Sequence, residues 1–231
     1  MSVSKKKFNL VVLDMAGTTV ADGGLVEQAF SAAAWQMGAD PESMIGYVRA
    51  TMGESKISVF RHLFGGDEGL AQTANAAFEA AYGERVAAGL IVPIPGAREA
   101  IERLRGEGRS VVLSTGFARV TQDAILAALG WEGLADFTLC PADAGGRGRP
   151  YPDMVLAAFL RSGAADGVQE IAVVGDTSYD MLSGARAGAG VVAGVLTGAH
   201  DKAQLVEHGA SHVLGSVAEL DGLLGELERS S

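Results

Sequence analysis

The sequence predicts an α/β chain: a doubly wound parallel sheet with an all-helical module inserted after the first strand. Three observations lead there. Short apolar runs alternate with helical patterns after residue 95, as in a parallel sheet covered on both faces. Residues 20–92 break that rhythm with helical patterns and no convincing strand. The chain has 231 residues, 48% of them hydrophobic, enough for one large domain or a core carrying a smaller insert.

The first apolar run, residues 8–13, is followed at once by Asp14-Met15-Ala16-Gly17-Thr18-Thr19. A carboxylate is thereby set at the carboxyl end of a buried strand, the edge where ligands of open α/β sheets bind. Position 16 is alanine, so the candidate nucleophile has no acid two residues on. Helices are predicted next at residues 25–37, 41–49, 55–64 and 67–88. Asp40-Pro41 is a helix start signal, Gly65-Gly66 separates the last two helices, and Pro93-Ile94-Pro95-Gly96 ends the insert. The expected division is therefore a core of residues 1–19 and 93–231 and a cap of residues 20–92. A cap so placed can close over Asp14 and expel water.

The remaining strands are predicted at 110–114, 137–139, 171–175, 191–196 and, more weakly, 212–214. Helices are predicted at 96–105, 120–129, 152–161, 181–187 and 217–227, the last supported by capping-box spacing from Ser216 to Glu219. Gly188-Ala189-Gly190 follows a helix and precedes a strand, the wrong context for a dinucleotide fingerprint, and reads as a tight turn.

Eighteen basic residues against 28 acidic ones give a net charge of −10, which argues against nucleic-acid binding. No stretch approaches the roughly 20 apolar residues of a membrane span. Lys5-Lys6-Lys7 precedes an apolar run that is too short for a targeting peptide. The lone Cys140 excludes an intrachain disulfide, suits a reducing, cytoplasmic setting, and reads as a small buried hydrophobe.

If the strands are parallel, four segments converge: Asp14, Ser114-Thr115-Gly116, Arg149 after a glycine-rich loop, and Gly175-Asp176 with Asp180 one turn on. Asp14 and Asp176 are placed to share a divalent cation, Mg2+ above all, with carbonyl oxygens and waters. Thr115 and nearby amides can donate to phosphoryl oxygens, and Arg149 can neutralise one that is not transferred. Asp14 is then free to attack phosphorus.

The combined pattern resembles the haloacid dehalogenase superfamily of aspartate-nucleophile hydrolases, and within it the phosphonatase branch. Three details carry the narrower likeness: Asp14-x-Ala16-Gly17-Thr18-Thr19, Arg149 in Gly148-Arg149-Pro150-Tyr151-Pro152 where the superfamily has a core lysine, and Met52-Gly53-x-x-Lys56 in the cap. The resemblance implies a Rossmann-like core with a helical cap and Asp14 as nucleophile. It implies that Lys56 forms an imine with a substrate aldehyde, so that the leaving group departs as an enamine and needs no acid at position 16. It assigns the metal to Asp14, the carbonyl of Ala16, Asp176 and Asp180, and substrate binding to Thr18, Met52 and Gly116. The chain departs from the branch at Val59 for a histidine, Gly24 for a cysteine and Asp153 for a tryptophan.

The expected activity is Mg2+-dependent cleavage of a phosphorus bond through an aspartyl-phosphate, on phosphonoacetaldehyde or a related small phosphonate. The alternatives are a phosphate-monoester phosphatase or phosphoglucomutase-like enzyme, and a non-catalytic module that binds a phosphorylated metabolite. A homodimer is an expectation of the resemblance. His62 reads as a structural or solvated residue, and His200, His208 and His212 match no zinc spacing.

Overall fold

A computed structural model describes residues 8–230. Lys5, Lys6 and Lys7 lie outside the described residues. Six parallel strands form the central sheet: β1 (Leu10–Asp14), β4 (Ser110–Ser114), β5 (Phe137–Leu139), β6 (Ile171–Gly175), β7 (Val191–Val195) and β8 (His212–Leu214), in the order β5-β4-β1-β6-β7-β8. All five residues of β1 are buried. That is why it reads as a continuous apolar run and not an alternation.

From β1 the chain adds strands outward on one side, then returns and adds them on the other. The carboxyl ends beside this reversal are the expected ligand edge. Register places Asp14 abreast of Ser114, and Leu13 abreast of Val174. Asp14, Thr115 and Asp176 therefore leave the sheet side by side.

Between the first two sheet strands lie α1 (Leu25–Gln36), α2 (Glu42–Ala50), α3 (Lys56–Leu63) and α4 (Glu68–Ala87). α1 packs on α2 and α4, α3 on α4, and α4 on α6 (Arg119–Leu129) of the sheet layer. Aromatic rings make the join: Phe30, Phe60, Phe78 and Tyr82 form a cluster that reaches Phe117, whose ring centroid lies 4.6 Å from that of Tyr82. Phe78 and Tyr82 are fully buried. The helical module thus rests on the sheet layer through apolar burial, worth roughly 1.5–3 kcal/mol for each such side chain.

The structure corrects the sequence reading in several places. The stretch 20–92 does contain strand: β2 (Val20–Ala21) pairs antiparallel with β3 (Val92–Pro93), tying the two connections of the helical module together. Two residues are too few to show periodicity. Helix α8 (Ser178–Ala187) begins three residues earlier than expected, because Thr177 and Asp180 cap it reciprocally. The expected capping box at Ser216 instead starts a 3-10 turn over Val217–Glu219. There the Ser216 hydroxyl accepts from the Ala218 amide and the Glu219 carboxylate from the Gly215 amide, before α10 (Leu220–Arg229). α9 (Lys202–Glu207) is an additional helix, held by the Asp201 cap. α5 (Ala97–Gly106) and α7 (Asp153–Ser162) lie within a residue of expectation.

Candidate active site

The residues singled out at the strand ends do converge. Asp14, Asp176 and Asp180 are all buried, and each offers a carboxylate oxygen within 4.8 Å of the others. Arg149, 5% exposed, lies among them. Its guanidinium contacts Asp14 Oδ1 at 2.8 Å and Asp180 Oδ1 at 2.7 Å and donates to Ser114 Oγ at 2.8 Å. The second oxygen of Asp180 accepts from the Thr177 amide at 3.1 Å and hydroxyl at 2.5 Å. Asp176 Oδ2 accepts from the Ala199 amide at 2.8 Å.

Two glycines make room for Asp176. A Cβ on Gly17 would lie 2.3 Å from its Oδ2, and one on Gly198 would lie 1.9 Å away. Gly17 also has φ +88°, a conformation glycine adopts without strain. The loop after β7, including Thr197, Gly198 and Ala199, thereby wraps the acidic cluster. Sequence reading missed it, although its position at the end of a strand was a usable signal.

The cluster holds more negative charge than one guanidinium offsets. Burial pushes the Asp14 carboxyl up to about 7, against the pull of Arg149 and with help from Asp180. Burial and repulsion from Asp14 and Asp180 raise Asp176 well above the carboxylate range. Burial works against the Arg149 charge, but the three carboxylates outweigh it and keep the guanidinium protonated. Hard oxygen donors with uncompensated charge are the donor chemistry of a divalent cation. The set fits Mg2+.

A cavity of ≈ 260 Å³ opens above this cluster. Asp14, Ala16, Thr115, Gly116, Arg149 and Asp176 line one end; Asp22, Glu27, Met52 and Lys56 line the part formed by the helical module. Lys56 opens α3 and is 6% exposed. Its Nζ sits 5.2 Å from the Phe117 ring centroid and 5.9 Å from that of Phe30. Burial lowers its pKa, while Asp22, Asp14 and Glu79 pull the other way. The residues before it are seated tightly on the sheet layer. A Cβ on Gly53 would lie 2.3 Å from Thr177 Oγ1, one on Gly116 would lie 2.9 Å from the Glu54 carbonyl oxygen, and one on Gly148 would lie 2.9 Å from Ser55 Cβ.

Not every candidate opens to the cavity in the way its assignment requires. Thr18 is fully buried, and its hydroxyl donates to Asp176 Oδ1 at 3.3 Å. Its side chain is turned to a carboxylate of the cluster, since the tight turn after β1 faces it inward. Thr115 is 1% exposed and its Oγ1 accepts from the Phe117 amide at 3.3 Å. Asp180 stands with both oxygens already bonded.

His62 stacks on Tyr47 with ring centroids 4.0 Å apart, a packing role. His200 Nδ1 accepts from the Ser178 amide at 2.8 Å at the start of α8, and burial lowers its pKa. Among the described residues the grouping suited to a metal is the acidic one, without histidine. Cys140 is buried and free, with its thiol pKa raised by burial. Asp22 and Phe117 went unnoticed in the sequence because their relevance depends on neighbours far along the chain.

Comparison with known proteins gives a consistent picture. A family model described as haloacid dehalogenase-like hydrolase matches residues 8–188. The chain is 28% identical over 218 residues to the probable phosphatase IndB of Dickeya dadantii, covering 92% of each chain. It is 28% identical over 202 residues to a phosphonoacetaldehyde hydrolase of Nitratidesulfovibrio vulgaris, covering 81% of this chain and 71% of that one. Among solved structures it superposes on a phosphonoacetaldehyde hydrolase-like protein from Oleispira antarctica with a TM-score of 0.83 at 24% identity, covering 96% of this chain and 93% of the other. A hydrolase from Pseudomonas syringae gives 0.84 at 24% identity, covering 95% and 99%. No helix among the described residues is long and apolar enough to cross a membrane.

Proposed function

We propose, for a chain that belongs to the haloacid dehalogenase-like hydrolase family, that it cleaves the C–P bond of phosphonoacetaldehyde or a closely related small phosphonate. The observation that carries this reading is the buried Lys56 amine, which lines the same cavity as Asp14, Arg149 and Asp176 in a chain with alanine at position 16. In this reading residues 20–92 are the cap over a core of residues 1–19 and 93–231.

Asp14, the carbonyl of Ala16 and Asp176 would hold Mg2+, with Asp180 as the third carboxylate of the cluster. The ion would offset phosphoryl charge and let an anionic nucleophile approach. Arg149 and the Thr115–Gly116 segment hold the phosphoryl oxygens, Thr18 orients Asp176, and Met52 bounds the organic part of the substrate. Burial keeps a fraction of Lys56 as the neutral amine that attacks an aldehyde. The resulting iminium accepts the electron pair released when Asp14 attacks phosphorus. The organic fragment leaves as an enamine, so an acid at position 16 has nothing to protonate.

Incubation with phosphonoacetaldehyde and Mg2+, with borohydride added, tests this directly. Phosphate release together with a reduced adduct on Lys56 supports it. Release from simple phosphate esters without an adduct supports a monoester phosphatase instead. That second reading draws on the likeness to a relative named as a phosphatase over 92% of each chain, and on apolar Val59 one helical turn from Lys56. Binding without turnover would identify a non-catalytic module. The substrate is a small molecule in each case.

A further inference from the structure

We propose that Asp22 is the acid–base group that makes and breaks the imine at Lys56; this rests on the C–P hydrolase reading above. An amine and an aldehyde condense only if a proton reaches the departing hydroxyl and is later returned, and a positioned group accelerates such transfers by roughly 10²–10⁴-fold. The α3 helix itself supplies none. Val59, one turn from Lys56, is apolar and 2% exposed. His62 is taken up by stacking on Tyr47.

The carboxylates that line the cavity are Asp14, Asp22, Glu27 and Asp176. Asp14 and Asp176 belong to the phosphoryl end. Glu27 is held by Arg49 through two hydrogen bonds of 2.9 and 2.8 Å. Asp22 remains. Its position is set by the start of α1, where Oδ2 accepts from the Gly24 amide at 3.0 Å and Oδ1 from the Val26 amide at 3.2 Å. Each oxygen keeps a lone pair beyond its amide bond.

Charge and burial suit the task. Among the carboxylates acting on Lys56, Asp22 exerts the largest pull, ahead of Asp14 and Glu79. Burial raises its own pKa, against the Val26 amide and the Lys56 charge. A carboxyl raised from its usual range gives and takes protons more readily near neutral pH. The titratable groups electrostatically linked to it are Lys56 on α3, Glu27 on α1 and Tyr82 on α4. Among the described residues the buried Tyr82 hydroxyl has no hydrogen-bond partner, and burial raises its pKa, with Asp22 the largest of the charge effects that add to the shift.

The steps balance. Neutral Lys56 adds to the aldehyde carbon to form a C–N bond, and its proton moves to the oxygen, giving a carbinolamine. Protonated Asp22 gives its proton to the hydroxyl and the C–O bond breaks. Water leaves as the nitrogen lone pair completes the iminium, and Asp22 is left as the carboxylate. After C–P cleavage the enamine carbon takes a proton from water. The hydroxide left behind is neutralised by the proton released when a second water hydrolyses the aspartyl-phosphate to free Asp14 and inorganic phosphate. A water molecule then adds to the new iminium carbon while Asp22 takes the proton it sheds. The carbinolamine then collapses, its C–N bond breaking as the hydroxyl proton passes to nitrogen, and free aldehyde, neutral Lys56 and protonated Asp22 are regenerated.

The test is timed borohydride quenching of the chain mixed with phosphonoacetaldehyde, with the Lys56 adduct measured by mass spectrometry. Asp22→Asn and Asp22→Ser both keep an acceptor for the start of α1 and remove the acid. Each is expected to slow adduct formation by about 10²-fold while keeping the Mg2+-induced rise in melting temperature, and Asp22→Glu is expected to recover within tenfold of the original. An adduct forming at the unmodified rate in either folded variant overturns the assignment. So does a loss of the Mg2+ response alongside slowed trapping, which would make Asp22 a structural residue. If the unmodified chain forms no adduct, the imine reading and this assignment fall together.

Discussion

Replacing Arg149 by methionine keeps much of the side chain's bulk and removes a charge that touches Asp14 at 2.8 Å and Asp180 at 2.7 Å. Buried carboxylates are left facing one another without their cation. Breaking a buried ion pair by deleting one partner costs about 3–5 kcal/mol. A chain of this size loses roughly 2–4 °C of Tm per kcal/mol. Without metal at pH 8 the variant should therefore melt about 6–20 °C lower. The loss should shrink toward pH 5. Asp14 already titrates at about 7 with the arginine present, and removing the cation raises it further. A carboxyl whose folded pKa lies above its unfolded value imposes no penalty where both states are protonated, and a growing one as pH rises through the folded pKa. Thermal melts of both chains at pH 5 and 8 decide the matter. An unchanged Tm at pH 8, or a loss that is larger at pH 5, would refute the charge-balance account of the cluster.

Mg2+ at about a hundred times its Kd should add roughly 2.7 kcal/mol, or about 5–11 °C at pH 8. The gain should be much smaller at pH 5, where protons compete for Asp14 and Asp176; equal shifts in the two melts would count against carboxylate ligation. Lys56→Ala should fold, bind Mg2+ and yield no borohydride adduct, with C–P cleavage undetectable by phosphate assay. Asp14→Ala should release no phosphate from phosphonates or esters, and steady release would remove it as nucleophile. Gly53→Ala combines φ +94° with a Cβ 2.3 Å from Thr177 Oγ1. Displacing the loop by about an ångström should lower kcat/KM roughly 10²-fold with Mg2+ affinity unchanged.

Much of this molecule is local in origin and was legible in the chain. The run ending in Asp14 forms a strand because it is continuously apolar, and β6, buried along its whole length up to Gly175, forms for the same reason and sets Asp176 just beyond its end. Four helices fill the insert because their apolar residues recur at helical spacing. Arg149 sits in a glycine-rich loop where the pattern of the chain led one to look. The ribbon of β2 and β3 was not legible, since two-residue strands carry no period. Nor was α9, six residues long.

The site divides along the same line. Residue types and their order identified Asp14, Lys56, Thr115, Arg149 and Asp176 as candidates, because the chemistry they offer belongs to the side chains themselves. Only the folded structure turned Thr18 inward onto Asp176, bonded both oxygens of Asp180, sealed the helical module through Phe78, Tyr82 and Phe117, and set Asp22 in the same cavity as Lys56. Those outcomes depend on contacts across long stretches of chain and on which groups lose water, and a linear sequence holds neither until packing selects the neighbours.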